Sequence, residues 1–154
     1  MQYPFGYVND ENKEAIKEWN LIHDEMLPIM DLYKSPEITD IFVDRYDNIN
    51  VMKNGVLEKT DKVFASEAAL VSLLQQFCVT LDQDSLNLKA PILDARLPDG
   101  SRINATHIST TPSGATLSLR KVTVDPLTVD DFINSGMMTP EILDYLIDVI
   151  TRKD

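Results

Sequence analysis

The pattern of apolar and polar residues along the chain switches between a helical and a strand period. Apolar residues recur at helical spacing over residues 16–26, which predicts an amphipathic helix that Pro28 ends or kinks. From Ser35 the pattern alternates, and it predicts three strands, at residues 38–43, 49–52 and 56–59. Ser66 is the predicted N-cap of the next helix, whose apolar side carries Leu70, Val71, Leu74, Phe77, Cys78 and Leu81.

The most informative stretch is Pro91 to Lys121, because it contains two segments of the form x-Pro-x-Gly. These segments are residues 97–100 and 111–114, and each lies between runs of alternating polar and apolar residues. Proline favours the second position of a type I turn, and glycine adopts the left-handed conformation that follows it. Such segments are typical of hairpins with a one-residue bulge. The stretch therefore predicts a three-stranded antiparallel meander.

The first of these turns predicts which residues face each other. It places Leu97 opposite Ser101. On the face that points into the core it then pairs Ala95 with Ile103 and Leu93 with Ala105. On the other face it pairs Arg96 with Arg102 and Asp94 with Asn104.

The second turn predicts the position of the third strand. It places Thr111 opposite Ala115, so that Arg120 lies on the polar face opposite Thr106. The same register puts His107 on the core face, where we interpret it as a structural histidine. Three arginines are thus expected on one face of the meander: Arg96, Arg102 and Arg120.

Beyond Lys121 the sequence predicts a linker and two helices. Residues 124–126 have the composition of a linker, and Thr128 with Asp131 forms a capping box for a short helix. Residues 139–141, Thr-Pro-Glu, are typical of a helix start. The apolar face of that last helix carries Ile142, Leu143, Leu146, Ile147 and Ile150. We therefore predict an α+β fold in which an antiparallel β-meander sheet is flanked by helices, with a domain at residues 1–122 and a helical segment at residues 123–154.

The charge of the chain narrows the classes of partner. The formal net charge is −11, which argues against binding to nucleic acid or to an anionic membrane surface. Three arginines on one face stand out in so acidic a chain, and they are therefore a stronger indication of a functional surface. The sequence contains one cysteine, Cys78, and neither a signal peptide nor an apolar run long enough to cross a membrane. We expect a cytoplasmic protein in which Cys78 contributes to packing.

The arginine face is the main candidate for chemistry. Guanidinium groups suit bidentate contact with phosphate oxygens, and two opposed arginines repel each other unless an anion lies between them. The alternative is an ordinary surface in which Asp94, two residues away, neutralises Arg96 and the other arginines are solvated. No nucleophile with a base, no Cys/His metal cluster and no Gly-Lys-Ser/Thr phosphate loop occurs in the sequence. We expect no catalytic residue and no metal site in this chain.

The run at residues 92–105 reads Ile-Leu-Asp-Ala-Arg-Leu-Pro-Asp-Gly-Ser-Arg-Ile-Asn-Ala. It resembles the N-terminal domain of type II/IV secretion-system traffic ATPases, and most closely the Tad/Flp pilus-assembly branch. The likeness extends over about residues 25–154. It includes residues 35–43 and 50–55, which resemble the first two strands of that family, and Leu-Ser-Leu-Arg-Lys at residues 117–121. Residues 125–128 and 138–141 resemble its linker and the first helices of its ATPase domain. The usual phenylalanine after Arg-Lys is Val122 here.

This resemblance implies a fold, a partner domain and residue roles. The implied fold is the PAS-like N-terminal domain of these ATPases, followed by helices that open a RecA-like domain. The implied protein is a homo-hexamer at the cytoplasmic face of the inner membrane, working with secretion or pilus components. Arg102 and Arg120 match the arginines that reach the phosphates of ATP, which the C-terminal ATPase domain holds with magnesium. Asp94 and Arg96 are assigned structural or interfacial roles.

Several expectations follow for this chain by itself. We expect it to bind no cofactor tightly, to be inactive alone and mainly monomeric, and to be followed by the phosphate loop of the motor beyond Asp154. The alternative function is a stand-alone acidic protein-interaction module that docks through its C-terminal helix. A small independent enzyme has no group of residues to support it.

Overall fold

The computed structural model describes residues 20, 22–97, 100–122 and 128–152. The chain divides into two compact units, Met1–Val122 and Thr123–Asp154. Most of the predicted first helix falls outside the described residues, but residues 22–25 are helical. A 3₁₀ turn at Leu27–Ile29, which contains Pro28, separates them from helix α1, Met30–Lys34. Proline thus interrupts the helix where the sequence predicts it.

In the rest of the first unit, the described residues form six strands and one long helix. Three strands lie before the helix: β1 at Ile38–Arg45, β2 at Asn48–Lys53 and β3 at Val56–Lys59. The helix is α2, Glu67–Thr80. Three strands follow it: β4 at Ile92–Arg96, β5 at Arg102–Thr106 and β6 at Thr116–Arg120. All of these elements lie where alternation and capping residues predict them, within a few residues.

The six strands form one antiparallel sheet in the order β3-β2-β1-β6-β5-β4. It consists of two three-stranded meanders, and the pairing of β1 with β6 joins them. The predicted α+β class with helices flanking an antiparallel sheet is confirmed. The order of the strands follows from long-range pairing, which no local pattern predicts.

One face of the sheet packs on helices, and the other carries polar side chains. The buried face includes Ile41 and Leu119, which belong to the same apolar cluster as the buried side of α2. Ser66 caps α2 by accepting a hydrogen bond from the amide of Ala69. The fully or nearly fully buried residues of α2 are Leu70, Leu73, Leu74, Phe77 and Cys78. Burial also raises the pKa of the Cys78 thiol, as suits a residue that contributes to packing.

The first predicted hairpin has the expected register. The amide of Leu97 donates to the carbonyl of Ser101 over 2.7 Å, and Gly100 has the expected positive φ of 88°. The strand pairs are those predicted from the turn: Leu93 with Ala105, Asp94 with Asn104, Ala95 with Ile103 and Arg96 with Arg102. A local turn motif was therefore sufficient to specify this hairpin.

The predicted register of the second hairpin is wrong. Arg120 lies opposite Arg102 and not opposite Thr106. His107 is not on a core-facing strand; it lies half-buried in the connection between β5 and β6, with Nδ1 2.8 Å from the hydroxyl of Ser109. Gly114 does adopt a positive φ of 115°, as the turn motif predicts.

The physical reason for the different register is a contact with α2. The Glu67 carboxylate accepts a hydrogen bond of 2.6 Å from the amide of Ala115, just before β6 begins. Gly114 lies so close to this carboxylate that a Cβ atom would come within 2.7 Å of it. A tertiary contact therefore positions the start of β6, and a local turn motif contains no information about it.

Buried Ser101 connects the start of β5 with two other parts of the unit. Its hydroxyl accepts hydrogen bonds from the Tyr33 hydroxyl at 3.1 Å and from the Val122 amide at 3.3 Å. Because Ser101 precedes Arg102, these contacts restrain the backbone next to that arginine.

Within residues 128–152, the second unit forms two helices whose starts were predicted from their caps. Helix α3 is Val129–Asn134, and the capping box of Thr128 with Asp131 is present. Helix α4 is Pro140–Thr151, and the hydroxyl of Thr139 accepts a hydrogen bond from the amide of Ile142. The exposed large apolar residues of α4 are Ile142, Tyr145, Leu146, Ile147, Val149 and Ile150. That these helices open an ATPase domain stays a prediction.

The contact between α2 and the start of β6 can be tested with two glycine substitutions. We expect Gly55→Ala to lower the free energy of unfolding by about 1–2 kcal/mol, since Gly55 also has a positive φ but has open space around it. Gly114→Ala should cost about 1 kcal/mol more, because its methyl group displaces the Glu67 carboxylate from Ala115. Urea denaturation of both variants measures the difference. Equal losses would contradict a specific role for Glu67.

Candidate functional site

The polar face of the sheet brings the three predicted arginines into one row. Arg96 on β4 lies opposite Arg102 on β5, and Arg102 lies opposite Arg120 on β6. Directly opposed residues have Cβ atoms about 5 Å apart, so the guanidinium groups of Arg102 and Arg120 can reach one ligand. The corrected register thus brings these two side chains closer together than the sequence predicted.

Asp94 forms a bidentate ion pair with Arg102. Its Oδ1 accepts from Nε at 3.0 Å, and its Oδ2 accepts from Nη2 at 2.7 Å. The hydrogen bonds from Arg102 lower the pKa of the Asp94 carboxyl and raise the pKa of Arg102. The alternative interpretation paired Asp94 with Arg96, but the hydrogen bonds of Asp94 go diagonally to Arg102 on the next strand. Within residues 22–97 and 100–122, Arg96 forms no hydrogen bond or ion pair.

Asp40 of β1 holds Arg120. It lies opposite Arg120 across the pairing of β1 with β6, and its Oδ1 accepts from Nε at 2.7 Å. Its other oxygen accepts from the Thr39 hydroxyl at 2.8 Å. The Asp40 side chain is only 10% exposed, whereas that of Arg120 is 75% exposed. Arg120 is thus held at the Nε of its guanidinium group, while most of its side chain is exposed to solvent.

Asp40 is the residue of this site that sequence reasoning missed. It belongs to a predicted strand, but it comes close to Arg120 only through a strand pairing that connects residues 80 positions apart. No local motif indicates that contact.

The arginine pair lines an open depression of about 280 Å³ in the polar face. We call this depression the arginine basin; its residues are Asp94, Arg102, Asn104, Ser118 and Arg120. Asn104 lies opposite Ser118, two positions along the strands from the arginine pair, or about 7 Å. In the part of the chain that the structure describes, neither of these two polar side chains has a hydrogen-bond partner.

The arginine basin has side chains suited to binding an anion. Two guanidinium groups, the Asp94 carboxylate and two neutral polar groups line it, and no side chain among them is a nucleophile paired with a base. Across the described residues, no group of three or more His, Cys, Asp or Glu side chains could hold a metal ion. None of the described helices is long and apolar enough to cross a membrane.

The chain resembles known proteins in sequence and in fold, although no protein-family model matches it. It is 31% identical over 133 residues to an uncharacterized protein of Methanocaldococcus jannaschii, MJ0781, and 40% identical over 57 residues to another, MJ0900. These matches cover 85% and 36% of this chain. The chain spans only 15% of MJ0781 and 10% of MJ0900.

A solved structure matches most of the chain. The VirB11 ATPase of the Brucella suis type IV secretion system, crystallised in complex with sulphate, superposes with a TM-score of 0.73 and 21% sequence identity. The match covers 84% of this chain and 38% of that one. The two proteins share a fold.

Within this shared fold, the predicted site residues divide into two groups. Arg102 and Arg120 both line the arginine basin, and Asp94 lies in it as the partner of Arg102. Arg96 lies on the edge strand β4 and is not part of the lining. The roles of these residues toward nucleotide, and the structural or interfacial roles of Asp94 and Arg96, stay predictions.

Asp40 is more deeply buried than Asp94, which predicts that substitutions of the two residues have different effects on stability. We expect Asp40→Asn to lower the free energy of unfolding by about 1–2 kcal/mol, because it removes charge-assisted hydrogen bonds from a buried group. Asp94→Asn should have a smaller effect, since both members of its ion pair are exposed. Urea denaturation of the two variants is the measurement. A larger loss in Asp94→Asn would contradict the assignment of Asp40 as the anchor.

Proposed function

We propose that this chain is the N-terminal domain of a hexameric secretion or pilus-assembly motor ATPase, most similar to the Tad/Flp branch. In this proposal Arg102 and Arg120 contact the phosphates of ATP bound by a C-terminal RecA-like domain. The observation that carries the proposal is that the two arginines lie directly opposite each other in an exposed basin.

Three further observations support it. The fold is shared with the VirB11 ATPase over 84% of the chain. The run at residues 92–105, which resembles the family, forms most of β4 and β5 and so contains Asp94, Arg102 and Asn104 of the basin. MJ0781 is much longer than this chain, which is consistent with a domain that works as part of a larger protein.

The physical role of the arginine pair is electrostatic. Two guanidinium groups supplied from outside the phosphate loop neutralise charge as the terminal phosphoryl group is transferred. Phosphates held by the RecA-like domain and contacted by both arginines also connect the two domains, so bound ATP favours their closure. Arg102 and Arg120 therefore bind and orient phosphate, while the chemical step belongs to the RecA-like domain, where bound magnesium would neutralise charge on the phosphates.

The proposal includes a location and partners. We infer a homo-hexamer at the cytoplasmic face of the inner membrane that works with secretion or pilus components. A net charge of −11 disfavours nucleic acid as a partner. The alternative of a stand-alone interaction module is not favoured, because no described feature other than the exposed apolar side chains of α4 supports it.

The proposal can be tested by measuring ATPase turnover in a protein in which this chain is followed by its ATPase domain. We expect Arg102→Ala and Arg120→Ala each to lower kcat by about a hundredfold, the usual cost of removing one group that stabilises the transition state electrostatically. Arg102→Lys and Arg120→Lys should recover only part of the activity, since lysine lacks the bidentate geometry.

Arg45→Ala is the matched control, since Arg45 is also an exposed arginine in an ion pair, with Asp47, but lies outside the arginine basin. It should have wild-type turnover. Wild-type turnover in both Arg102→Ala and Arg120→Ala would refute the proposed role of the pair.

A further inference from the structure

We propose that Asp94 is an internal competitor for the phosphate contact of Arg102, and that a polyphosphate binds the arginine basin by displacing the Asp94 carboxylate. The inference rests on the proposed function, because it takes the phosphate chain of a nucleotide as the ligand. It assigns to Asp94 a role in binding that differs from the structural or interfacial role predicted from sequence.

The two arginines of the basin differ in how much of each guanidinium group is available. Arg102 uses Nε and Nη2 for the two oxygens of Asp94, so its bidentate edge is already occupied by a carboxylate. Arg120 uses only Nε, toward Asp40, and its two Nη atoms have no hydrogen-bond partner among the described residues. A phosphate can therefore reach Arg120 directly, whereas at Arg102 it has only the end-on Nη groups unless it displaces Asp94 from the Nε–Nη2 edge.

The two aspartates differ in how easily they can be displaced. The side chain of Asp94 is 47% exposed and that of Arg102 is 60% exposed, so a released Asp94 carboxylate is hydrated by water. The side chain of Asp40 is only 10% exposed, and release from Arg120 would leave a desolvated charge. The exchange is therefore expected at Asp94, while Asp40 keeps Arg120 in place.

The charges of the basin also favour an exchange over simple addition. The arginine pair is balanced by Asp94 within the basin and by Asp40 beside it, so the positive charge of Arg102 is fully available to a ligand only when Asp94 moves away. A polyphosphate carries more charge than one carboxylate and can contact both arginines at once, which compensates for the lost ion pair. The amide of Asn104 and the hydroxyl of Ser118 supply neutral donors next to the pair.

The test compares aspartate variants of the 154-residue chain in their binding of inorganic tripolyphosphate at low ionic strength, by isothermal titration calorimetry. We expect Asp94→Asn to raise the affinity by up to about fivefold, the range that an exposed ion pair allows. Asp40→Asn should lower the affinity, because Arg120 loses its anchor. The two substitutions change the net charge equally, so opposite signs cannot come from charge alone.

Asp47→Asn is the matched control, because Asp47 forms the same kind of bidentate ion pair with Arg45 outside the basin. It should leave the affinity unchanged. In the double variant of Asp94→Asn and Arg102→Ala the gain should disappear, since no guanidinium group is then released.

A lower affinity in Asp94→Asn would overturn the exchange and would mean that Asp94 positions Arg102 for the ligand. An affinity equal to that of Asp47→Asn, or no measurable binding by Asp94→Asn at millimolar tripolyphosphate, would also overturn it. Each of these results leaves the turnover assay of Arg102→Ala and Arg120→Ala as a separate test of the proposed function.

Discussion

The pairing of β1 with β6 is the interaction on which the sheet and the candidate site depend. It joins two meanders that are far apart in sequence, from Asp40 opposite Arg120 to Val43 opposite Leu117. On one face it buries Ile41 with Leu119, and on the other it brings the buried carboxylate of Asp40 to Arg120. Because side chains alternate along a strand, a slip of one residue would exchange the two faces. One pairing thus builds the core and half of the arginine basin.

The arginine basin shows how an acidic chain can present two opposed arginines stably. Opposed like charges destabilise a sheet unless an anion lies near them. Here each arginine receives a carboxylate from the strand on its outer side, Asp94 of β4 for Arg102 and Asp40 of β1 for Arg120. Each of the two opposed arginines is therefore balanced by one carboxylate, and the difference in burial between Asp94 and Asp40 makes the two ion pairs unequal.

Local sequence motifs predicted those parts of the structure whose geometry is set by neighbouring residues. The turn at residues 97–100 and its alternating flanks were sufficient to pair Arg96 with Arg102 and Asp94 with Asn104. The same rules failed for the second hairpin, although Gly114 has the backbone conformation that they require. There the carboxylate of Glu67 holds the amide of Ala115, and a residue 48 positions away determines where β6 begins.

The sequence by itself determined the elements, their caps, the first hairpin and the presence of Arg102 and Arg120 on one face, because each of these depends on backbone preferences and side-chain spacing over a few residues. Only the tertiary structure decided that the two arginines lie directly opposite each other, that Asp94 pairs with Arg102, and that Asp40 holds Arg120. These features depend on the register between strands and on the burial of individual carboxylates. Both are properties of long-range packing, which hydrophobic periodicity along one segment does not specify.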